Sequence, residues 1–311
     1  MILKKELNMI KRPCVSVVMS SYNGAKCIKR QLDSILAQKN VDVTVYVRDD
    51  GSSDNTVEIL KEYSKKNPNL LYEAASNVGW QQSFMLALEA APKADYYAFS
   101  DQDDIWFENK LSNAVSYLSQ ENSGRAVLFH CNKISTWDDL TPLSKQTKRL
   151  PRALNRENAL TQEYVQGCSS VMNDYARSLV LKNRPKGKVP HDFWCALVCY
   201  LFGVILYDDR PFFYHIIYGN NASMEGRLWT GRLSRLKKFF KHGSIYHLPV
   251  QELLDGYGDL LLESDKKFMN HLLNYKKNLF DKLCVLFSVK FRRSSLVGTL
   301  SLKTSILLNR L

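Results

Sequence analysis

Asp101-Gln102-Asp103-Asp104 places three carboxylates within four residues, directly after the apolar run Tyr96–Phe99. Like charges so close repel, and holding them together costs stability unless a cation neutralises them. Oxygen ligands with no Cys or His beside them in the chain suit Mg2+ or Mn2+, which take one or two carboxylates and leave the rest of the octahedron to substrate phosphates. In an extended segment Asp101 and Asp103 point to one side and Asp104 to the other, which predicts a metal on the first two and a bracing role for the third. The competing reading is a solvated acidic turn or a cap for the following helix.

Positioning such a cluster requires a scaffold, and the first 130 residues spell one. Short β-rich runs (Val15–Met19, Val43–Arg48, Leu70–Ala74, Tyr96–Phe99) alternate with helical-period segments (25–38, 56–66, 79–91). This is the pattern of βαβ units around a mostly parallel sheet. Ligands of such sheets bind at the carboxyl ends of the strands. Here those ends carry Ser20-Ser21-Tyr22-Asn23-Gly24, Asp49-Asp50-Gly51-Ser52, Ser76-Asn77-Val78-Gly79 and the acidic cluster. Neither GxGxxG nor GxxxxGK[ST] occurs there, so a dinucleotide fingerprint and a P-loop are excluded.

Of 311 residues, 45% are hydrophobic, enough for one large domain with an appendage. Seven scattered cysteines form no CxxC pair and read as reduced thiols of a cytoplasmic chain. The longest apolar run, Phe193–Tyr207, is too short to span a bilayer and reads as buried core. The net charge of +12 is concentrated at the end of the chain: residues 226–311 hold sixteen Lys/Arg against six Asp/Glu. Trp229, Leu233, Leu236 and Phe240 form a stripe with Arg232, Arg235, Lys238 and Lys241 beside it. Such a helix either lies on an anionic membrane or docks on the preceding domain. Three parts follow: a tail (1–12), a catalytic domain (13–225) and a basic helical region (226–311). Nucleic-acid binding is disfavoured, because the charge sits in a tail without a recognisable module and the motif loops are acidic.

Four segments in register, Ser16–Asn23, Val47–Asp54, Asn77-Val78-Gly79 and Phe99–Trp106, resemble the family 2 glycosyltransferases of GT-A fold. The resemblance covers about residues 13–223 and extends to the rhamnosyltransferase-like branch of surface polysaccharide biosynthesis. It implies an inverting enzyme that moves a sugar from a UDP- or dTDP-sugar, dTDP-rhamnose among them, to a glycan acceptor. Ser20 and Tyr22 then line the base and ribose pocket, and Asp50 accepts from the base. Asn77, Gly79 and Gln102 complete the nucleotide-sugar site, Asp101 reaches the ribose or the metal shell, and Asp103 holds Mn2+ or Mg2+.

On the acceptor side the resemblance implies Gly167 and Cys168, with His191, Trp194 and Trp106 nearby and Asp192 as the catalytic carboxylate. Read from the residues alone, Asp192 serves equally as a helix cap, and the two tryptophans as core. One departure stands out: where relatives close the donor site with Tyr-Arg-x-His-Gly-Asn-Asn, this chain has His215-Ile216-Ile217-Tyr218-Gly219-Asn220-Asn221. Tyr218 or the basic tail is then left to replace the missing histidine. A lipid-linked acceptor fits a protein held peripherally on the inner face of the cell membrane. The rival chemistry is a metal-dependent phosphohydrolase or phosphotransferase, against which Asp104-Ile105-Trp106 stands where that chemistry carries Gly-Thr/Val.

Overall fold

The computed structural model describes residues 12–121, 124–144, 150, 152–187, 189–218 and 249–311. The stripe around Trp229–Lys241, together with Asn220 and Asn221, lies outside the described residues.

One eight-stranded sheet runs in the order β3-β2-β1-β4-β7-β6-β8-β5. Its strands are β1 (Cys14–Ser21), β2 (Asp42–Asp49), β3 (Leu70–Ala74), β4 (Tyr96–Ser100), β5 (Asp104–Trp106), β6 (Ala126–Thr136), β7 (Ser170–Asn173) and β8 (Gly203–Ile216). The pairs β1–β2, β1–β4, β2–β3 and β6–β8 are parallel, whereas β7 runs antiparallel to β4 and β6, and β5 antiparallel to β8. Ser21 stands opposite Asp49 and Met19 opposite Ser100, so the carboxyl ends of three strands finish at one level. The expected βαβ half and its strand positions are present, and the mostly parallel sheet flanked by helices is the α/β architecture anticipated from the alternating pattern.

Helices α1 (Ile28–Leu36), α2 (Thr56–Lys66), α3 (Trp80–Ala90), α4 (Lys110–Leu118), α5 (Arg156–Ala159), α6 (Asp174–Lys182) and α7 (His191–Phe202) cover the two faces. One core layer joins β1 and β2 to α1, α2 and α4 through Leu32, Val45, Leu60 and Leu111. The other joins the opposite face to α3, α6 and α7 through Val18, Met85, Val180 and Trp194. Four further helices, α8 (Val250–Tyr257), α9 (Glu263–Asn274), α10 (Leu279–Phe287) and α11 (Leu296–Leu307), add Leu253, Tyr257, Met269, Val285 and Ile306 to that second layer. Among the described residues no helix is long and apolar enough to cross a membrane.

The apolar run Phe193–Tyr207 is not one element. Gly203 divides it into the end of α7 and the start of β8. At Gly203 the backbone passes so close to β6 that an added Cβ would lie 2.1 Å from the Ala126 carbonyl oxygen. Periodicity cannot separate the two elements because both are apolar on every side, and only the approach of β6 selects the break. Gly203→Ala is expected to destabilise the fold by about 2 kcal/mol or more, since rigid backbone must move. The loss will be read as a lower urea midpoint with unchanged slope.

Candidate active site

The site is built on the aligned strand ends. Beyond β2, Asp49 is a turn residue: its carboxylate accepts from Ser21 Oγ (2.9 Å) and the Ser52 amide (2.8 Å). Asp50 is buried and pairs with Arg48 at 2.5 Å. It also accepts from the amides of Val78 (2.9 Å, on Oδ1) and Gly79 (3.0 Å, on Oδ2). Asn77 Nδ2 donates to the Asp50 carbonyl at 2.8 Å. Asp50, Asn77 and Gly79 thus come together and fasten the loop ahead of α3 to the end of β2. A carboxylate oxygen can accept two bonds, so Oδ2 of Asp50 retains acceptor capacity for a ligand. Ser20 Oγ donates to Ser83 Oγ (2.7 Å), which also accepts from Arg48 (3.0 Å), while the Tyr22 ring is half exposed beside this network.

Gln102 acts differently from the expectation. Its Oε1 accepts from the Tyr22 amide (3.0 Å) and its Nε2 donates to the Tyr22 carbonyl (3.1 Å), so both amide atoms are spent in clamping the β1 and β4 loops together. Gly24 permits the clamp, since a Cβ there would lie 2.3 Å from Gln102 Oε1.

Asp104, expected to point away, is turned into the protein. It is 1% exposed, and its Oδ1 lies 2.8 Å from Nδ1 of buried His215, its register partner across β5–β8. Burial lowers the pKa of His215, but the bond to Asp104 and that residue's charge leave it raised overall. Gln31 on α1, wholly buried, holds the same segment in the amide orientation that satisfies both of its ends. Its Oε1 accepts from Trp106 Nε1 (3.1 Å) and Ser100 Oγ (2.6 Å), and its Nε2 donates to the Asp104 carbonyl (2.5 Å). Lys110 lies beneath, 1% exposed, with Nζ 3.5 Å from the centroid of the Trp106 ring and no hydrogen-bond partner. Burial depresses its pKa, while the nearby carboxylates and thiols oppose that depression.

Asp101 and Asp103 form no ion pair with a described basic side chain. Burial, then the charges of Asp104 and Asp103, pushes Asp101 up to about 7. Burial, then Asp104, pushes Asp103 up to about 6. Two carboxylates strained in this way fit a hard divalent cation, so the residues present suit the metal that the resemblance implies. Among the described residues, the potential ligands that lie within 4.8 Å of one another are instead Asp104, Cys168 and His215. That trio is closed by the Asp104–His215 bond, and burial raises the Cys168 thiol well above its usual range, so it is a poor seat for an oxygen-seeking ion.

On the other wall, Asp192 lies in the first turn of α7. Its Oδ2 accepts from the Gly167 amide (3.1 Å) and its Oδ1 from the Phe193 amide (2.9 Å). Its charge bears on Asp101 and on Glu163, whose pKa is pushed up to about 7 by burial and by Asp192. Asp192 is therefore near enough to Asp101 for its charge to be felt there. Beside it His191 is 3% exposed, stacked on Phe84 at 4.0 Å and edged by Phe99 at 4.6 Å. Burial takes it down to about 4, so it is neutral, and neither ring nitrogen has a partner. Gly167 must be glycine because a Cβ would meet His191 Nε2 at 2.5 Å.

Three acceptor-side expectations are corrected. Trp194 is wholly buried with Nε1 on the Val180 carbonyl (3.2 Å), and Trp106 is buried over Lys110. Cys168 is buried behind the acidic cluster, whose charges help raise its thiol. The aromatic that remains open near Asp192 is Trp80, half exposed at the start of α3 with its ring 5.9 Å from that of His191. Tyr218 accepts from Arg30 of α1 (2.6 Å), which also pairs with Asp138 (2.6 Å), so a guanidinium reaches this side of the site from α1. Sequence reasoning missed Gln31, Glu163 and Arg30, which lie on a helix or loop outside the motifs, and also Trp80 and Lys110, which follow motifs closely but whose exposure or burial is set by packing.

Because Asp101 and Asp103 are raised above ordinary carboxylate values, their contribution to folding is full at acid pH and is lost as pH rises through about 6 to 7. The metal-free chain is therefore expected to melt lower at pH 8 than at pH 5.5 through these groups, and Mn2+ to reverse the loss. Asp103→Asn should raise metal-free stability at pH 8 by about 2 kcal/mol and remove the Mn2+ effect. Thermal melts across pH, with and without the ion, measure both.

The family described as Glycosyl transferase family 2 matches residues 16–179, more than half of the chain. The chain is 37% identical over 110 residues to dTDP-rhamnosyl transferase RfbG of Shigella flexneri, covering 34% of this chain and 38% of that protein. It is 28% identical over 218 residues to an uncharacterized glycosyltransferase, alr2836, of Nostoc sp., covering 68% and 66% respectively. It thus spans two thirds or less of these curated relatives. Among solved structures it resembles S. aureus TarS 1-349 in complex with UDP-GlcNAc, with a TM-score of 0.55 at 18% identity over 89% of this chain and 78% of that one. It also resembles a mannosyltransferase of Pyrobaculum calidifontis in complex with GDP-Man and Mn2+, with a TM-score of 0.51 at 16% identity over 96% and 81%. The structural neighbours share the GT-A fold, and the match across the strands that carry the acidic cluster establishes that this chain belongs to glycosyl transferase family 2.

Proposed function

We propose that the protein is an inverting, metal-dependent glycosyltransferase that moves a sugar from a nucleoside diphosphate to a hydroxyl of a lipid-linked glycan in surface polysaccharide biosynthesis. The observation that supports this reading most is that the Asp192 carboxylate, fixed by the Gly167 amide, lies near enough to the acidic strand end for its charge to bear on Asp101. The nucleotide lies against Ser20, Tyr22 and Asp50, where a half-exposed ring and a buried carboxylate with spare acceptor capacity meet. Asp103, with Asp101, holds Mn2+ or Mg2+, which when bound offsets the charge of a diphosphate leaving group. Similarity to a dTDP-rhamnosyl transferase favours dTDP-rhamnose as donor, while the TarS complex supports a UDP-sugar as the alternative.

Asp192 receives the proton of the acceptor hydroxyl as that oxygen bonds to the anomeric carbon and the bond to the diphosphate breaks on the opposite side. The Gly167 amide and the first turn of α7 hold its carboxylate in place, and the neutral His191 fills the space behind. Trp80 offers an apolar face on which an acceptor sugar can rest. The basic carboxy-terminal region contacts the membrane from the cytoplasmic side, where a lipid-linked acceptor is met.

Nucleoside diphosphate release from a panel of dTDP- and UDP-sugars with Mn2+ tests the assignment, and release of inorganic phosphate from simple esters instead would overturn it. With the active donor, Asp192→Asn is expected to lower kcat by about 10² to 10⁴ with little change in donor binding. Trp80→Ala is expected to raise the acceptor KM by about tenfold at nearly constant kcat, as loss of uniform binding requires.

A further inference from the structure

The last two helices are apolar on two sides. α10 buries Val285 against the body of the protein, yet Leu279, Phe280, Leu283 and Phe287 stand open on its far side. These positions fall within an arc of about 100°. α11 repeats the arrangement: Leu302 and Ile306 are buried, whereas Leu296, Val297, Leu300 and Leu307 share an exposed arc. With Val289 in the connection between the two helices, these nine side chains are 42–83% exposed. Scattered exposed leucines need no explanation, but two adjacent helices with matching open apolar faces do. A helix apolar all round is one whose second face is meant to be covered.

The charge around this face names what covers it. Residues 276–311 hold eight Lys/Arg and a single acid, Asp281, which is engaged with His271 at 2.6 Å. Two of the eight are used internally: Lys303 donates to the carbonyls of Val285 (3.0 Å) and Ser288 (2.9 Å), closing the end of α10, and Lys282 donates to the Leu307 carbonyl (2.8 Å) at the end of α11. Bonds to carbonyls neutralise neither charge, so the segment that bears the apolar faces keeps a strong positive excess. A second protein copy bearing the same excess would be repelled, whereas an anionic bilayer satisfies both the apolar face and the charge.

The place of this face in the fold gives it a purpose. The connection between α10 and α11 is bonded to the segment 158–162, which borders a cavity of the body. Ser294 and Gln162 exchange hydrogen bonds through their side chains (2.9 and 3.0 Å), and the Ser294 amide donates to Gln162 Oε1 (3.1 Å). The Arg292 carbonyl accepts from Asn158 Nδ2 (2.5 Å) and Thr161 Oγ1 (3.3 Å). Gln162 lines a cavity of about 520 Å3 with Tyr164, Phe193, Tyr200, Tyr207 and His130, the last buried with Nδ1 unpartnered. Glu163, next in the chain, feels both Asp192 and Arg293.

We infer that the open faces of α10 and α11 form an in-plane docking surface for an anionic lipid bilayer, set beside the cavity that Gln162 and Phe193 line, so that a lipid-borne acceptor is delivered toward Asp192, the neighbour of Phe193. The delivery part of this inference rests on the glycosyl-transfer reading; the docking part stands without it.

Flotation of the full chain with vesicles of phosphatidylcholine alone, or of phosphatidylcholine with phosphatidylglycerol, tests the surface. Binding is expected to the anionic vesicles and to weaken with salt. The exposed triple variant Phe287→Ser, Leu296→Ser, Val297→Ser should bind at least about tenfold less, with its melting temperature and its nucleoside diphosphate release unchanged. Equal binding by the variant, or none by the parent chain, would overturn the docking surface. So would a stable dimer in light scattering that the triple variant dissociates. Absence of nucleoside diphosphate release from every sugar nucleotide, with vesicle binding intact, would remove the glycosyl-transfer reading and leave the surface standing.

Discussion

The repulsion among Asp101, Asp103 and Asp104 is the constraint around which the rest of the molecule is arranged. Three carboxylates at the end of one buried strand would spread or protonate in an unconstrained loop. Here Asp104 is drawn inward by His215, its backbone is fastened by Gln31, and Lys110 is buried nearby. Those contacts engage one of the three acids, through its Oδ1. Asp101 and Asp103 form no ion pair among the described residues, and the proposed cation site rests on that difference. Burial of His215 and Lys110 costs free energy that a merely structural turn would have no reason to incur.

The same logic runs through the opposite wall. Asp192 could have been only the first-turn acid of α7, and its bonds to the amides of Gly167 and Phe193 do serve that purpose. Its charge is nevertheless felt by Asp101 and Glu163, so the capping position is also the one from which the proposed base would act. His191 is the clearest sign that position matters there. A buried imidazole with no partner for either nitrogen is unfavourable in itself, and it survives because three aromatic rings and Gly167 leave a slot of its shape against the base.

The acidic strand end and the loops after β1 and β2 were legible because each is local: a few residues after an apolar run state their own chemistry, whereas the Gly167 and Asp192 segments were reached only through the family resemblance. The tryptophans were not. Trp106 and Trp194 follow the motifs closely in sequence, yet strand pairing of β5 and the inward face of α7 turn both into core, while Trp80 stays open. Gln102 reads as a ligand-binding amide by position, but Gly24 brings the neighbouring loop near enough to consume both of its ends.

Chain-local patterning by itself therefore determined the parallel βαβ half, the acidic strand end and the excess of positive charge at the end of the chain, since period, propensity and charge are properties of consecutive residues. Tertiary structure alone decided that Asp104 pairs with His215, more than a hundred residues away, and that a helical glutamine holds the acidic loop. It also decided that the apolar run breaks at Gly203 and that α10 and α11 keep a second apolar face uncovered. Each of these depends on which remote backbone or side chain arrives at a given point, and that proximity is set by packing of the whole sheet and its helices rather than by any neighbouring residue.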